Sequence, residues 1–191
     1  MRNILIIIFF LIFNLTFSQE SLPFEDYHDS SNYLKIDKID GYNNKTTESF
    51  EMFLNSDKTW NVKYFRYEAD SIVCTKNIVI DTLNRLDEKL WLKILITNIQ
   101  YLPDWEKIEY KLKYNTSIIN LKDDIVIFSE QKVIVDGISF VIEIKTDHDK
   151  GIYNKIRYPD PSYFLPQFKS VDEIKSISDL LKIIHTNFEI F

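Results

Sequence analysis

The chain has 191 residues, of which 45% are hydrophobic and 27% charged, and a formal net charge of −6. That is enough apolar material for one packed domain, while the acidic balance lacks the positive field that nucleic acids and anionic membrane surfaces require. Its three glycines, Gly41, Gly137 and Gly151, stand far apart, which excludes a glycine-rich phosphate loop and a dinucleotide fingerprint.

Met1 to Gln19 reads MRNILIIIFFLIFNLTFSQ. Arg2 supplies a short positive end, Ile4 to Phe13 is unbroken apolar sequence, and Thr16 and Ser18 have the spacing a signal peptidase accepts. The run is shorter than the roughly 20 apolar residues that span a bilayer. Residues 1–18 therefore read as a signal peptide of an exported, periplasmic or secreted protein, with an uncleaved N-terminal anchor as the alternative. No second long apolar stretch follows, so no membrane span is expected after cleavage. Cys74, the single cysteine, cannot form an intramolecular disulfide. It reads as a small buried hydrophobe, and the competing reading is a thiol that is reactive or pairs between chains.

Residues 19–45 are polar and turn-rich. They read as an extended N-terminal segment of weak local structure, pinned by Leu34, Ile36 and Ile39, which leaves 46–191 as a single domain. Residues 47–55 and 59–68 alternate with period two around the turn cluster Asn55-Ser-Asp-Lys58, a hairpin signal. Residues 71–80 add a third strand. Residues 82–102 change to three- and four-residue spacing, with Asp81 or Thr82 as a cap and Pro103 as a stop, and predict an amphipathic helix. Over 106–114, alternation of Ile108, Tyr110, Leu112 and Tyr114 favours a half-exposed strand, although the composition also suits a helix.

Residues 125–158 form the clearest β region. Lys132 to Val135, Asp136-Gly137 and Ile138 to Lys145 read as a hairpin on a type I′ turn, and a second turn leads into Ile152 to Tyr158 as a meander. A Pro and aromatic loop, 158–168, precedes a last helix. Ser170 and Glu173 have capping-box spacing, and Ile174, Ile177, Leu181, Ile184 and Phe188 mark its apolar face. The expected fold class is α+β: an antiparallel β-sheet, in two hairpin or meander regions, packed against two amphipathic helices.

The candidate chemistry is thin. Asp147-His148-Asp149 in a turn is a candidate metal cluster, with Glu25-Asp-Tyr-His-Asp29 as a second, but neither has the spacing of a known zinc or calcium motif. A solvated turn is the plainer reading. No serine sits in a G-x-S-x-G turn, and Cys74 has no sequence-evident histidine partner. His185, in the last helix, suits the C-terminal end of the helix dipole. Glu51, Glu68 and Glu143 are strand carboxylates of the kind a glycosidase pairs, or that a solvated sheet face carries. No catalytic residue and no cofactor is therefore assigned. Tyr153, Tyr158, Tyr163, Phe164 and Phe168 gather near the Pro loop as a candidate binding patch; the competing reading packs them over the sheet end.

The TFSQ ending of the leader, Leu102-Pro103-Asp104, the Val135-Asp136-Gly137 turn and the Tyr158-Pro-Asp-Pro-Ser-Tyr163 loop together resemble uncharacterised exported bacterial proteins. The resemblance implies export and one α+β domain. It carries no activity and no site residue. The expectation from sequence is an exported, non-enzymatic domain that binds a protein or cell-envelope component. A small metal-assisted envelope hydrolase built on Asp147, His148 and Asp149 is one alternative, and an inhibitor or immunity-type protein with a basic target is another.

Overall fold

A computed structural model describes residues 30–68, 71–80, 86–122, 124–147 and 151–191. The fold is α+β. Eight antiparallel strands are β1 Tyr33–Asp40, β2 Lys45–Leu54, β3 Trp60–Glu68, β4 Ser71–Ile80, β5 Lys113–Leu121, β6 Asp124–Gln131, β7 Ser139–Thr146 and β8 Ile152–Pro159. Helix α1 spans Leu86–Ile96 and helix α2 spans Asp172–Phe188. Six strands form one sheet in the order β4-β3-β2-β1-β7-β8, and β5 and β6 form a separate two-stranded ribbon.

The hairpin read over 47–68 is present, with Phe50 opposite Tyr64 and Met52 opposite Val62, and β4 adds the third strand. The segment around Leu34 and Ile36 is not a weakly structured extension. It is β1, at the centre of the sheet, paired to β2 on one side and β7 on the other. Leu34 and Ile36 are fully buried. Only one face of β1 is apolar, which is why the strand reads as polar sequence.

That apolar face continues across the sheet through Phe50, Met52, Val62, Ile142, Ile144 and Ile156, and the helices cover it. Ile174, Ile177, Leu180 and Ile184 of α2 are buried there. Leu180 takes the place expected for Leu181, which is only partly buried. Trp60 of β3 stacks at 5.1 Å on Trp91 of α1, and Phe50 lies 5.2 Å from Phe188 of α2. Burying each such side chain is worth about 1.5–3 kcal/mol.

Three local expectations fail, each for a visible reason. The helix expected over 82–102 ends at Ile96. Thr97 folds its hydroxyl back onto the Ile94 carbonyl and Asn98 adopts φ 60°, after which a 3-10 turn carries Ile99 and Gln100 into the core. The expected cap at Asp81 or Thr82 lies outside the described residues. Residues 105–107 and 109–112 are 3-10 turns rather than a strand, because Ile108 and Leu112 both turn inward. The capping box at Ser170 does not form: Val171 precedes α2 without a side-chain cap, and Glu173 reaches Lys111 at 2.5 Å instead.

The hairpin expected over 132–145 is also absent. β7 pairs with β1 and β8, not with 132–135. Asp136 has φ 56°, but Gly137 does not share the positive φ that a type I′ turn needs at both positions. The meander from β7 to β8 is present. Asn154 of β8 donates to the carbonyls of Ile99 (3.3 Å) and Leu102 (2.9 Å), and Tyr158 donates to that of Pro103 (2.6 Å). These bonds fasten the 3-10 turn after α1 to the sheet. Among the described residues, no helix is long and apolar enough to cross a membrane.

Candidate functional site: an apolar ribbon outside the core

The β5–β6 ribbon begins where the core ends. Tyr114 is its anchor, with its ring edge-on to Phe168 at 6.1 Å. Immediately beyond, Asn115 has φ 49° and the register between the strands shifts. Asn115 donates to Glu130 across the irregularity at 3.2 Å. Nine residues of strand at about 3.3 Å each give the ribbon a reach of about 30 Å.

Both faces of this ribbon are apolar. Ile118 pairs with Ile127, and Ile125 shares their face; the three are 72%, 77% and 73% exposed. Ile119, Val126, Phe128 and Leu121 lie on the opposite face, also exposed. Val133 and Val135, in the loop that leaves the ribbon, are exposed as well. A two-stranded ribbon is marginally stable alone in water. Contiguous apolar surface of several hundred Å² marks an interaction site. Lys122 and Asp124, both exposed, put charges of both signs at the described end of the ribbon.

The aromatic patch read from the sequence does not exist as one surface. Tyr158, Phe164 and Phe168 are core residues. Phe164 packs on Trp105 at 5.0 Å and lies 6.5 Å from Phe168, while Tyr158 meets Trp105 edge-on at 5.5 Å. Burial pushes the Tyr158 hydroxyl well above the usual tyrosine range. The loop thus closes the sheet end over α2, as its packing reading had it. Tyr163 is half-buried and sends its hydroxyl toward the Ile138 amide. Only Tyr153 is largely exposed, on edge strand β8.

Asp147 is exposed, and its amide donates to Asn32 at 3.2 Å. His148 and Asp149, like the Glu25 to Asp29 cluster, lie outside the described residues. Among the described residues, no group of three or more His, Cys, Asp or Glu side chains gathers in metal-binding geometry. Cys74 falls on edge strand β4, opposite Arg66. His185 holds Nδ1 3.1 Å from the Ile190 carbonyl oxygen at the end of α2.

The strand carboxylates fall into a pattern the sequence did not reveal. On the sheet face opposite the helices, Lys155, Glu143, Lys35, Glu51 and Lys63 stand in one row across five strands, with alternating charge. Lys155 meets Glu143 at 3.2 Å and Lys35 meets Glu51 at 3.7 Å. Glu51 is nearly buried; burial pushes its carboxyl above the ordinary glutamate range, and the neighbouring Lys35 only partly opposes this. Glu68 lies apart, exposed at the end of β3. Each carboxylate of the row has a lysine cross-strand partner, an arrangement that fixes register.

The ribbon is a candidate surface that the sequence expectations do not include. Its signal was present in Ile118-Ile119 and in Ile125-Val-Ile-Phe128, where both phases of the strand alternation are apolar. Such strands are normally covered on both faces. In comparisons with known proteins, no family model and no curated protein matches the chain.

Proposed function

We propose that this chain is an exported, non-enzymatic binding domain that engages a partner protein through the β5–β6 ribbon. The carrying observation is the set of exposed apolar side chains on both ribbon faces, led by Ile118, Ile125 and Ile127. The side chains named above offer apolar surface on the order of the 800 Å² that each partner contributes to a standard-size interface. A protein suits this surface better than the lipid of an envelope, because burying the charged end in hydrocarbon is costly. Export is supported by Arg2, the apolar run from Ile4 to Phe13, and the small residues at 16 and 18.

The test is affinity capture from envelope and secreted fractions on the immobilised chain. It is run beside a variant carrying Ile118→Thr, Ile125→Thr and Ile127→Thr. The expected result is a partner retained by the native chain and lost by the variant, with unchanged far-ultraviolet circular dichroism. A partner retained equally by both would move the binding surface elsewhere.

A further inference from the structure

A second feature, independent of the ribbon, lies at the other side of the loop that leaves it. There a cleft of about 440 Å³ opens between residues 131–138, the 3-10 turns around Trp105 and the ends of β7 and β8. That volume is in the range of small-molecule sites. Its walls are pinned. A Cβ on Gly41 would sit 2.1 Å from the Gly137 carbonyl oxygen, so only glycine permits the loop to approach β1 so closely. Tyr163 ties the other side of the loop, reaching the Ile138 amide with its hydroxyl and accepting from Lys132 at its carbonyl.

The charges lining this cleft are unusual in their partners. Arg157 is oriented by two neutral oxygens, Ser139 Oγ at 3.2 Å and Asn44 Oδ1 at 2.9 Å. Lys132 rests on the Tyr163 carbonyl and over the Phe164 ring. Glu106, Glu109 and Asp136 line the same cleft. Yet none of the ion pairs among the described residues joins two of these five groups. Opposite charges in one concavity that do not pair leave a gap between them. A ligand carrying both signs fills such a gap without stranding either charge, whereas a simple anion or cation meets three carboxylates or two cations of its own sign. Trp105 and Phe164 supply an apolar wall between.

We propose that this cleft binds a small zwitterion, an amino acid or dipeptide. Arg157 and Lys132 take the carboxylate, Glu106 and Glu109 take the ammonium, and Trp105 packs on the apolar part. Arg157 is the specificity-determining residue, because a planar guanidinium held by two side chains presents its remaining donors as a fork to a carboxylate.

The experiment titrates the full chain calorimetrically with three forms of Ala-Phe: free, N-acetylated and C-amidated. The free dipeptide is expected to bind with a Kd below about 1 mM, and each capped form at least about tenfold more weakly. Arg157→Gln should erase the difference between free and amidated forms, and the double variant Glu106→Gln with Glu109→Gln that between free and acetylated forms. No binding of the free dipeptide up to about 10 mM, or equal affinity for all three forms, overturns the proposal. The capped ligands need no variant protein, so the test stands even if a substitution unsettles the fold.

Discussion

Two sets of isoleucines occupy antiparallel strands of this molecule in nearly opposite circumstances. Ile36, Ile142 and Ile156 sit on β1, β7 and β8 beneath two helices and are buried. Ile118, Ile125 and Ile127 sit on β5 and β6 with similar cross-strand neighbours and are exposed. Local propensity does not distinguish the two sets. What differs is the second layer: the six-stranded sheet has α1 and α2 packed on it, and the ribbon is a separate sheet whose apolar side chains are exposed. Apolar side chains in a strand report that something covers them. In the sheet the cover is the chain itself, and we assign the cover of the ribbon to a partner.

The comparison breaks most sharply under truncation. Ile142→Ala in the sheet removes a fully buried side chain beside Ile36 and Ile144. It should destabilise the fold by about 2–5 kcal/mol, read as a lower denaturation midpoint with an unchanged slope. Ile127→Ala on the ribbon should shift stability by no more than about 0.5 kcal/mol. A ribbon substitution as costly as the core one would mean that the ribbon is covered by its own chain.

A smaller effect is expected at the polar fastening of the body. Asn154→Ala strands the carbonyl of Leu102 and leaves that of Ile99 only the long bond from the Leu102 amide (3.4 Å), at a cost of about 1–3 kcal/mol by thermal unfolding. Asn115→Gly, at the ribbon's kink, keeps the positive φ, removes one exposed hydrogen bond and should cost less than that. A loss there equal to that of Asn154→Ala would make the kink a structural support of the body.

Smallest are the pH effects, which two glutamates on opposite faces of β2, Glu48 and Glu51, send in opposite directions. Burial alone would raise Glu48, but hydrogen bonds from Lys38 (2.6 Å) and Tyr64 (2.5 Å) outweigh it and hold its carboxyl below the ordinary range. Its contribution is therefore present above the ordinary glutamate range and is lost as pH falls through its lowered value. Glu51, raised by burial, contributes the reverse: stability declines as pH rises through the ordinary range toward its raised value. Glu48→Gln should flatten the acid side of a melting-temperature profile. Glu51→Gln should help more at pH 7 than at pH 4. The same slope for both variants would contradict the assignment.

The parts of the fold that were legible in the sequence are those whose signals are local. The β2–β3 hairpin carries both its alternation and its turn within 47–68, and α2 carries its own apolar stripe. β1 was missed as a strand because Lys35 and Asp37 face the charged side of the sheet, while its partners β2 and β7 include one more than a hundred residues away. The 132–135 segment looked like a strand because Val133 and Val135 are apolar, yet both are exposed in a loop. Ser170 and Glu173 had the right spacing for a cap, but Lys111, distant in sequence, took the carboxylate. The aromatic loop was visible and its role as core was not, because burial of Tyr158 and Phe164 depends on Trp105 from another segment. The ribbon's apolar faces could be read from sequence, but that no helix among the described residues covers them could not.

The most direct measurement is amide hydrogen exchange on the chain alone and on the chain with its captured partner. The account predicts that β5 and β6 exchange fast in the isolated protein while β1, β2 and β7 are protected, and that the partner slows exchange in the ribbon. Ribbon amides already as slow as those of β1 without a partner, or partner protection confined to the six-stranded sheet, would contradict it.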